Sequence, residues 1–394
     1  MKKYLFLALG VAALTSCSSD EVTELNQGNE IKFSVVADND SRAANVWCNA
    51  NYMPSFVLYA DAADKAFING ETYTIQGGGP VYTTSATRYW PEAGVLDFYA
   101  IYGATATWTA GNTPSAPVIV APDTDQEYAN IASQTDIVYA VKPGAQKTSD
   151  GLVTLNFRHA LSQIEFQAKN ANPDLKIVIK EVRVGNVNTQ GTLTLPTATT
   201  DANVTEHPSH SGSFTSQTAI WGSTQNTLGN YTATFTDVLV GASETSLTLS
   251  NDKANVANSM LLIPQTTTKW DGNEGSFLAV KCCIYNVVDT NGDEEGGIVE
   301  VLLYGDKDGD GTAEGRWAYV PVDFTWQPGY KYIYTFNYGT TTNAGFDDSA
   351  AEEVPSNTPV LVNLNVSVTV DDFQPGTVAP DPTDMNVTPI QPQP

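Results

Sequence analysis

The feature that most constrains this chain is its rhythm. Short apolar or alternating runs follow one another, each closed by residues that favour turns. Residues 30–36 read Glu-Ile-Lys-Phe-Ser-Val-Val, placing Ile31, Phe33 and Val35 at every second position. A period of two puts those three side chains on one face of a strand. Alternation recurs at residues 152–157 and over ten residues at 175–184. Denser β-forming runs stand at 96–102, 136–140 and 330–336. Between such runs lie Asn69-Gly70, the cluster Gly77-Gly78-Gly79-Pro80, and Pro91 with Gly94. Thr, Asn, Ser, Gly, Val and Tyr dominate, and Leu-, Glu- and Lys-rich helical stretches are scarce. Many short strands with turn chemistry between them build sandwiches or barrels. The expected class is therefore all-β, and the length suits two domains of ordinary size.

The first residues read as a targeting segment. Lys2 and Lys3 precede an apolar run, residues 4–14, of signal-peptide length. That run is too short to span a bilayer as a stable helix. It ends in Leu14-Thr15-Ser16-Cys17, which resembles the bacterial lipobox, where the cysteine is acylated and becomes the new N-terminus. Residues 1–16 are then the lipoprotein signal peptide and Cys17 the lipid anchor. Burial of acyl methylenes at about 0.8 kcal/mol each would hold the protein at the membrane. Residues 17–29 read as a polar tether. No other segment is long and apolar enough to cross a membrane.

Charge narrows the partners. Lys and Arg number 19 against 44 Asp and Glu, a net charge of −25. Nucleic-acid binding needs a basic face, and docking on anionic lipid needs basic clusters, so neither is expected. With Cys17 set aside, Cys48, Cys282 and Cys283 remain, which is not a disulfide framework. Cys282 and Cys283 are adjacent on strand-like text and point to opposite faces. Buried free thiols are the expected state, with one disulfide from Cys48 as the alternative.

Candidate chemistry is sparse. Asp306-Lys307-Asp308-Gly309-Asp310-Gly311 has the spacing of a calcium loop, but Trp317 stands where the final bidentate acid belongs. An acidic hairpin turn is the competing reading. Asp289-Thr290-Asn291-Gly292-Asp293 is a weaker echo. Glu206, His207 and His210 sit in a polar loop with Pro208 between the histidines, a chance grouping rather than a metal site. His159, between Phe157 and Leu161, reads as a core or interface histidine. No G-x-S-x-G, H-E-x-x-H or phosphate-cradling loop is present. Neither an enzyme, nor a cofactor, nor a metal is expected.

An ordered set of segments resembles the fimbrillin family of Bacteroidetes, including its Mfa-like branch of type V pilus subunits. The set comprises the lipobox, Ile31-Lys32-Phe33 with Arg42 after it, and Tyr89-Trp90-Pro91 leading to Leu96-Asp97-Phe98-Tyr99-Ala100. It continues with Asp136-Ile137-Val138-Tyr139-Ala140, Phe157-Arg158-His159-Ala160-Leu161, Leu262-Ile263-Pro264-Gln265 and Trp326-Gln327-Pro328-Gly329-Tyr330-Lys331-Tyr332. Val366-Ser367-Val368-Thr369-Val370-Asp371-Asp372-Phe373 closes it, with Phe373 where a tryptophan is common. Ser18-Ser19-Asp20-Glu21 is similar to the surface-export signal of lipoproteins from the same group.

The resemblance implies two tandem transthyretin-like β-sandwich domains, placed at residues 30–167 and 168–376, with a Pro-rich tail at 377–394. It also implies a surface lipoprotein held in the outer membrane until a trypsin-like protease cuts it. Arg42 matches the processing position. Loss of the first strand, with Ile31, Phe33 and Val35, would free a groove for a strand from another fimbrial subunit. The tail departs from the family pattern, because its prolines cannot complete a hydrogen-bond ladder. The strand bearing Leu364, Val366, Val368 and Val370 is then the donor candidate, or the subunit does not donate. Partners expected on this reading are other fimbrial subunits, the protease and a host ligand. The rival reading is a surface glycan-binding lipoprotein. Its stacking platform would come from Trp47, Trp90, Trp108, Trp221, Trp270, Trp317 or Trp326, which otherwise serve as core.

Overall fold

A computed structural model describes residues 30–37, 54–75, 81–120, 135–196, 220–222, 227–247, 260–289, 297–307, 311–339, 345–348, 358–360 and 364–372. Among these residues the chain is all-β, as expected. In chain order the strands begin with β1 (Lys32–Ala37), β2 (Ser55–Asp61), β3 (Ala66–Ile75), β4 (Val81–Thr83), β5 (Leu96–Tyr102), β6 (Ser115–Ile119), β7 (Val138–Ala145) and β8 (Leu152–His159). They continue with β9 (Ser162–Asn170), β10 (Leu175–Asn188), β11 (Gln190–Thr194), β12 (Ile220–Gly222), β13 (Leu228–Leu239), β14 (Thr245–Ser246), β15 (Met260–Leu262) and β16 (Phe277–Asp289). They end with β17 (Ile298–Tyr304), β18 (Asp306–Lys307), β19 (Ala313–Glu314), β20 (Arg316–Pro321), β21 (Tyr330–Tyr338), β22 (Gly345–Asp348), β23 (Thr358–Val360) and β24 (Leu364–Asp372).

The first core lies inside a closed ladder, β1-β4-β3-β2-β5-β7-β8. Alternation decides which side chains enter it. Phe56, Leu58 and Ala60 of β2, Leu96, Phe98 and Ala100 of β5, and Val138 and Ala140 of β7 all point inward. The same strands also bury their outer faces. Tyr59, Ile101, Tyr139 and Val141 pack with Ala116 and Val118 of β6, Leu193 of β11, and Leu261. Burial on both faces is why 96–102 and 136–140 read as near-continuous apolar runs. The cover on that outer face is the small sheet β12-β11-β6, so β6 pairs with a strand from far along the chain.

The second core lies between two sheets, β13-β10-β16-β20-β22-β23 and β14-β9-β21-β24. Ile177, Ile179, Leu278, Val280 and Cys282 come from the first sheet. They meet Ile164, Phe166, Tyr334, Phe336 and Val366 from the second. This is sandwich packing, with alternate residues turned to the facing sheet and a bulge in β10 after Ile179 shifting the inward set to Val182 and Val184. The boundary expected at residue 167 falls inside β9, whose Ile164, Phe166 and Ala168 all enter this second core. On the outer face of the first sheet, the ring of Phe277 lies over Gly185, where a Cβ would overlap it.

Candidate functional site

The expected exchangeable strand is built into the closed ladder with a neighbour on each side. β1 runs parallel to β8, with Lys32 opposite Leu152 and Ala37 opposite Phe157. On its other side it runs antiparallel to β4, with Phe33 opposite Tyr82 and Ser34 opposite Val81. Ile31, Phe33 and Val35 are 2%, 0% and 6% exposed, whereas Lys32 and Ser34 are only half-buried. The alternation read from sequence therefore selects the buried face. Phe33 fills the deepest position, with its ring edge-on to Tyr73 at 5.0 Å, Phe98 at 5.1 Å and Phe56 at 6.1 Å. Burying one such side chain is worth about 1.5–3 kcal/mol, and edge-on ring pairs add about 0.5–1.5 kcal/mol each.

The entry to β1 is pinned. The Ile31 amide donates to the Arg88 carbonyl at 2.8 Å, and the Lys32 amide donates to the Gly151 carbonyl at 3.0 Å. Gly151 has φ +73° and lies so close to the Glu30 carbonyl that a Cβ would overlap it. Arg88 itself is held by an ion pair with Glu71. Within the strand, the hydroxyls of Ser34 and Thr154 are 3.0 Å apart. Without β1, the backbones of β4 and β8 would face each other across one strand's width, over a floor of apolar rings. That is the geometry of strand addition: main-chain groups on both edges, pockets for alternate side chains between them.

β8 is fixed at its far end by a buried pair. His159 Nδ1 lies 3.0 Å from Asp136 Oδ2, with side-chain exposures of 4% and 0%. The sequence placed His159 in a core or interface position, which holds, but gave no sign that Asp136 was its neighbour. Past His159 the chain enters the second core, where the Ser162 hydroxyl donates to the Gln327 carbonyl and the Gly329 amide to the Leu161 carbonyl.

The donor candidate is engaged in its own sandwich. β24 pairs with β21 through nine antiparallel positions, from Leu364 opposite Tyr338 to Asp372 opposite Tyr330. Leu364, Val366 and Val368 are buried in the second core, and Val370 continues the strand. Cys17, Arg42, Cys48 and the group Glu206, His207 and His210 lie outside the described residues. So do Asp308 and Asp310. Their flanks form a short hairpin ladder, with Asp306 opposite Glu314 and Lys307 opposite Ala313.

Cys282 and Cys283 are buried free thiols on opposite faces of β16. Burial pushes the Cys282 thiol up to about 12, and the Cys283 thiol is also raised, chiefly by burial. Trp47 lies outside the described residues, and none of the other six tryptophans is fully exposed. Trp90 and Trp326 are core. Trp108 and Trp221 donate their ring N–H groups to the carbonyls of Asn112 and Ala160. Trp270 packs on Phe277, and Trp317 carries the Arg183 guanidinium over its ring. These contacts give the glycan platform no exposed tryptophan pair among the described residues.

The sequence model described as fimbrillin-like matches residues 41–352. Among solved structures, a candidate cell adhesion protein from Bacteroides uniformis is 16% identical with a TM-score of 0.42, covering 88% of this chain and 99% of its own. One from Parabacteroides distasonis is 12% identical with a TM-score of 0.42, covering 89% and 99%. The tip fimbrial protein Mfa3 from Porphyromonas gingivalis, with C-terminal truncation, is 9% identical with a TM-score of 0.33, covering 86% and 99%. No curated protein matches the chain.

Proposed function

The chain belongs to the fimbrillin-like family and is a fimbrial or adhesive subunit of the cell surface; on that premise we propose that it assembles by giving up β1 and accepting a strand from another subunit. The observation that carries this reading is the seat of β1. A strand held between two neighbours, with three buried side chains, leaves a formed groove when it goes. Arg42 follows β1 by a few residues and is the cut site for a trypsin-like protease. Cys17 carries the lipid that holds the subunit in the outer membrane before the cut, with residues 17–29 as its tether. The regions around the two cores act as tandem domains, and Leu364, Val366, Val368 and Val370 mark the strand with which the subunit would itself donate. Catalysis, a cofactor and nucleic acid have no part in this reading. Other subunits, the protease and a host ligand are its partners.

The test is the mature N-terminus of protein taken from cells, read by intact mass, for the natural chain and for R42A. The proposal expects a start at Ala43 in assembled material. It expects R42A to remain lipidated at Cys17 and unassembled. Assembly of R42A at the natural level would overturn the processing step.

A further inference from the structure

We propose that the groove left by β1 selects its occupant through an aromatic side chain at the middle inward position, and that this occupant comes from a protein other than this one. The inference rests on the exchange reading above and names the kind of partner. The three inward positions of β1 are not equivalent. Ile31 and Val35 flank the groove, whereas Phe33 meets the rings of Phe56, Tyr73 and Phe98 edge-on. Those rings continue into Tyr82 and Phe157, which pack on Phe56 at 5.1 and 5.4 Å. A ring at this position gains edge-on pairs that an aliphatic side chain cannot make, and a valine there leaves space that the packed rings close only in part. The fitting occupant is an extended segment with an apolar–aromatic–apolar series at alternate positions and polar residues between.

This chain's own donor candidate does not have that series. In β24, Leu364, Val366 and Val368 are buried in the second core, and the rest of the strand is Asn365, Ser367, Thr369, Val370, Asp371 and Asp372. No register of that strand brings an aromatic ring to the middle pocket. Phe373 follows, but its alternate neighbours are Asp371 and Pro375. Residues 374–394 hold no aromatic residue, and their prolines cannot serve a ladder flanked on both sides. A second copy's β1 has the right series, yet once cut at Arg42 it no longer carries a subunit with it.

The test uses the full surface chain cut with trypsin and checked by intact mass. Three labelled peptides are offered: residues 30–37, the same segment with F33A, and residues 363–372. Co-elution with the protein on gel filtration reports occupancy. The inference expects the first peptide to enter and the other two to bind at least about tenfold more weakly. Equal entry by the third peptide, or no loss with F33A, overturns it. A chain that resists cutting at Arg42, or keeps its cut strand against all three peptides, overturns the exchange reading instead. Aromatic selection is then read in the uncut chain, where F33V should speed hydrogen exchange of the Ser34 and Val35 amides at least about tenfold. Unchanged protection there overturns the selection by itself.

Discussion

Replacing His159 by alanine tests whether the far end of the groove is held as described. The imidazole and the Asp136 carboxylate are almost wholly buried and 3.0 Å apart. The His159 position pairs across the ladder with Val138, and the Ala160 amide beside it donates to the Ile137 carbonyl. H159A takes the imidazole from a carboxylate with 0% exposure. Breaking one half of a buried pair costs about 3–5 kcal/mol, because the remaining group loses a partner that water cannot replace. With a urea slope of about 2 kcal/mol per molar, the unfolding midpoint should fall by about 2 M. The assay is urea unfolding of H159A, D136A and the double variant. The double variant should lose clearly less than the sum of the singles, since both single variants break the same contact. Because β8 lies beside β1, H159A should also speed amide exchange in residues 32–37. A midpoint shift under about 0.3 M, or strictly additive losses, would refute the reasoning.

Three further outcomes follow from the same structure. Burial pushes the Tyr332 phenol up to about 12 from an ordinary 10.0, and also raises the Tyr73, Tyr334 and Tyr338 phenols. These groups fold as neutral acids, so their share of stability is intact below pH 10 and lost as pH rises towards 12. Each raised phenol should remove about 1.4 kcal/mol per pH unit across that window. Phenolate absorbance should appear together with loss of the β signal, and full ionisation of a folded chain would contradict this. The Cys282 thiol, raised from 9.0 to about 12 by burial, should resist iodoacetamide at pH 9 and react only on unfolding, as read by mass. G185A should drive a methyl group into the Phe277 ring and lower stability by about 1–3 kcal/mol in a thermal melt; an unchanged melting temperature would show that the ring can move aside freely.

Much of this fold is legible in the sequence because alternation reports burial directly. Ile31, Phe33 and Val35 turn inward as their period of two requires, as do Tyr330, Tyr332, Tyr334 and Phe336, whereas a bulge after Ile179 shifts the inward positions of the run at 175–184 from Ile177 and Ile179 to Val182 and Val184. What alternation cannot report is the neighbour. The pairing of β1 with β8 joins residues about 120 positions apart, and no local pattern encodes it. The same limit hid Asp136 from His159. Limits are hardest to read where alternation runs on. Ile164, Phe166 and Ala168 continue one series through residue 167, so a domain limit placed there cut a strand in half. Near the C-terminal end, β23 ends at Val360 in one sheet and β24 starts at Leu364 in the other, a change of sheet that no local pattern signals. In β17 the apolar residues Ile298 and Leu303 are 69% and 60% exposed. Its apolar text does not reflect a core.

The most direct test of strand release is to lock β1 in place. Ser34 and Thr154 are opposite each other in the parallel ladder, with hydroxyls 3.0 Å apart, so S34C/T154C places two thiols across it. The measurement is the yield of higher-order oligomers from the cell surface, with the locked variant compared before and after reduction. Release of β1 predicts processing at Arg42 but no oligomers while the disulfide is intact, and recovery of the natural yield on reduction. Natural levels of oligomer with the disulfide intact would contradict the account, because the groove would then still be filled by β1.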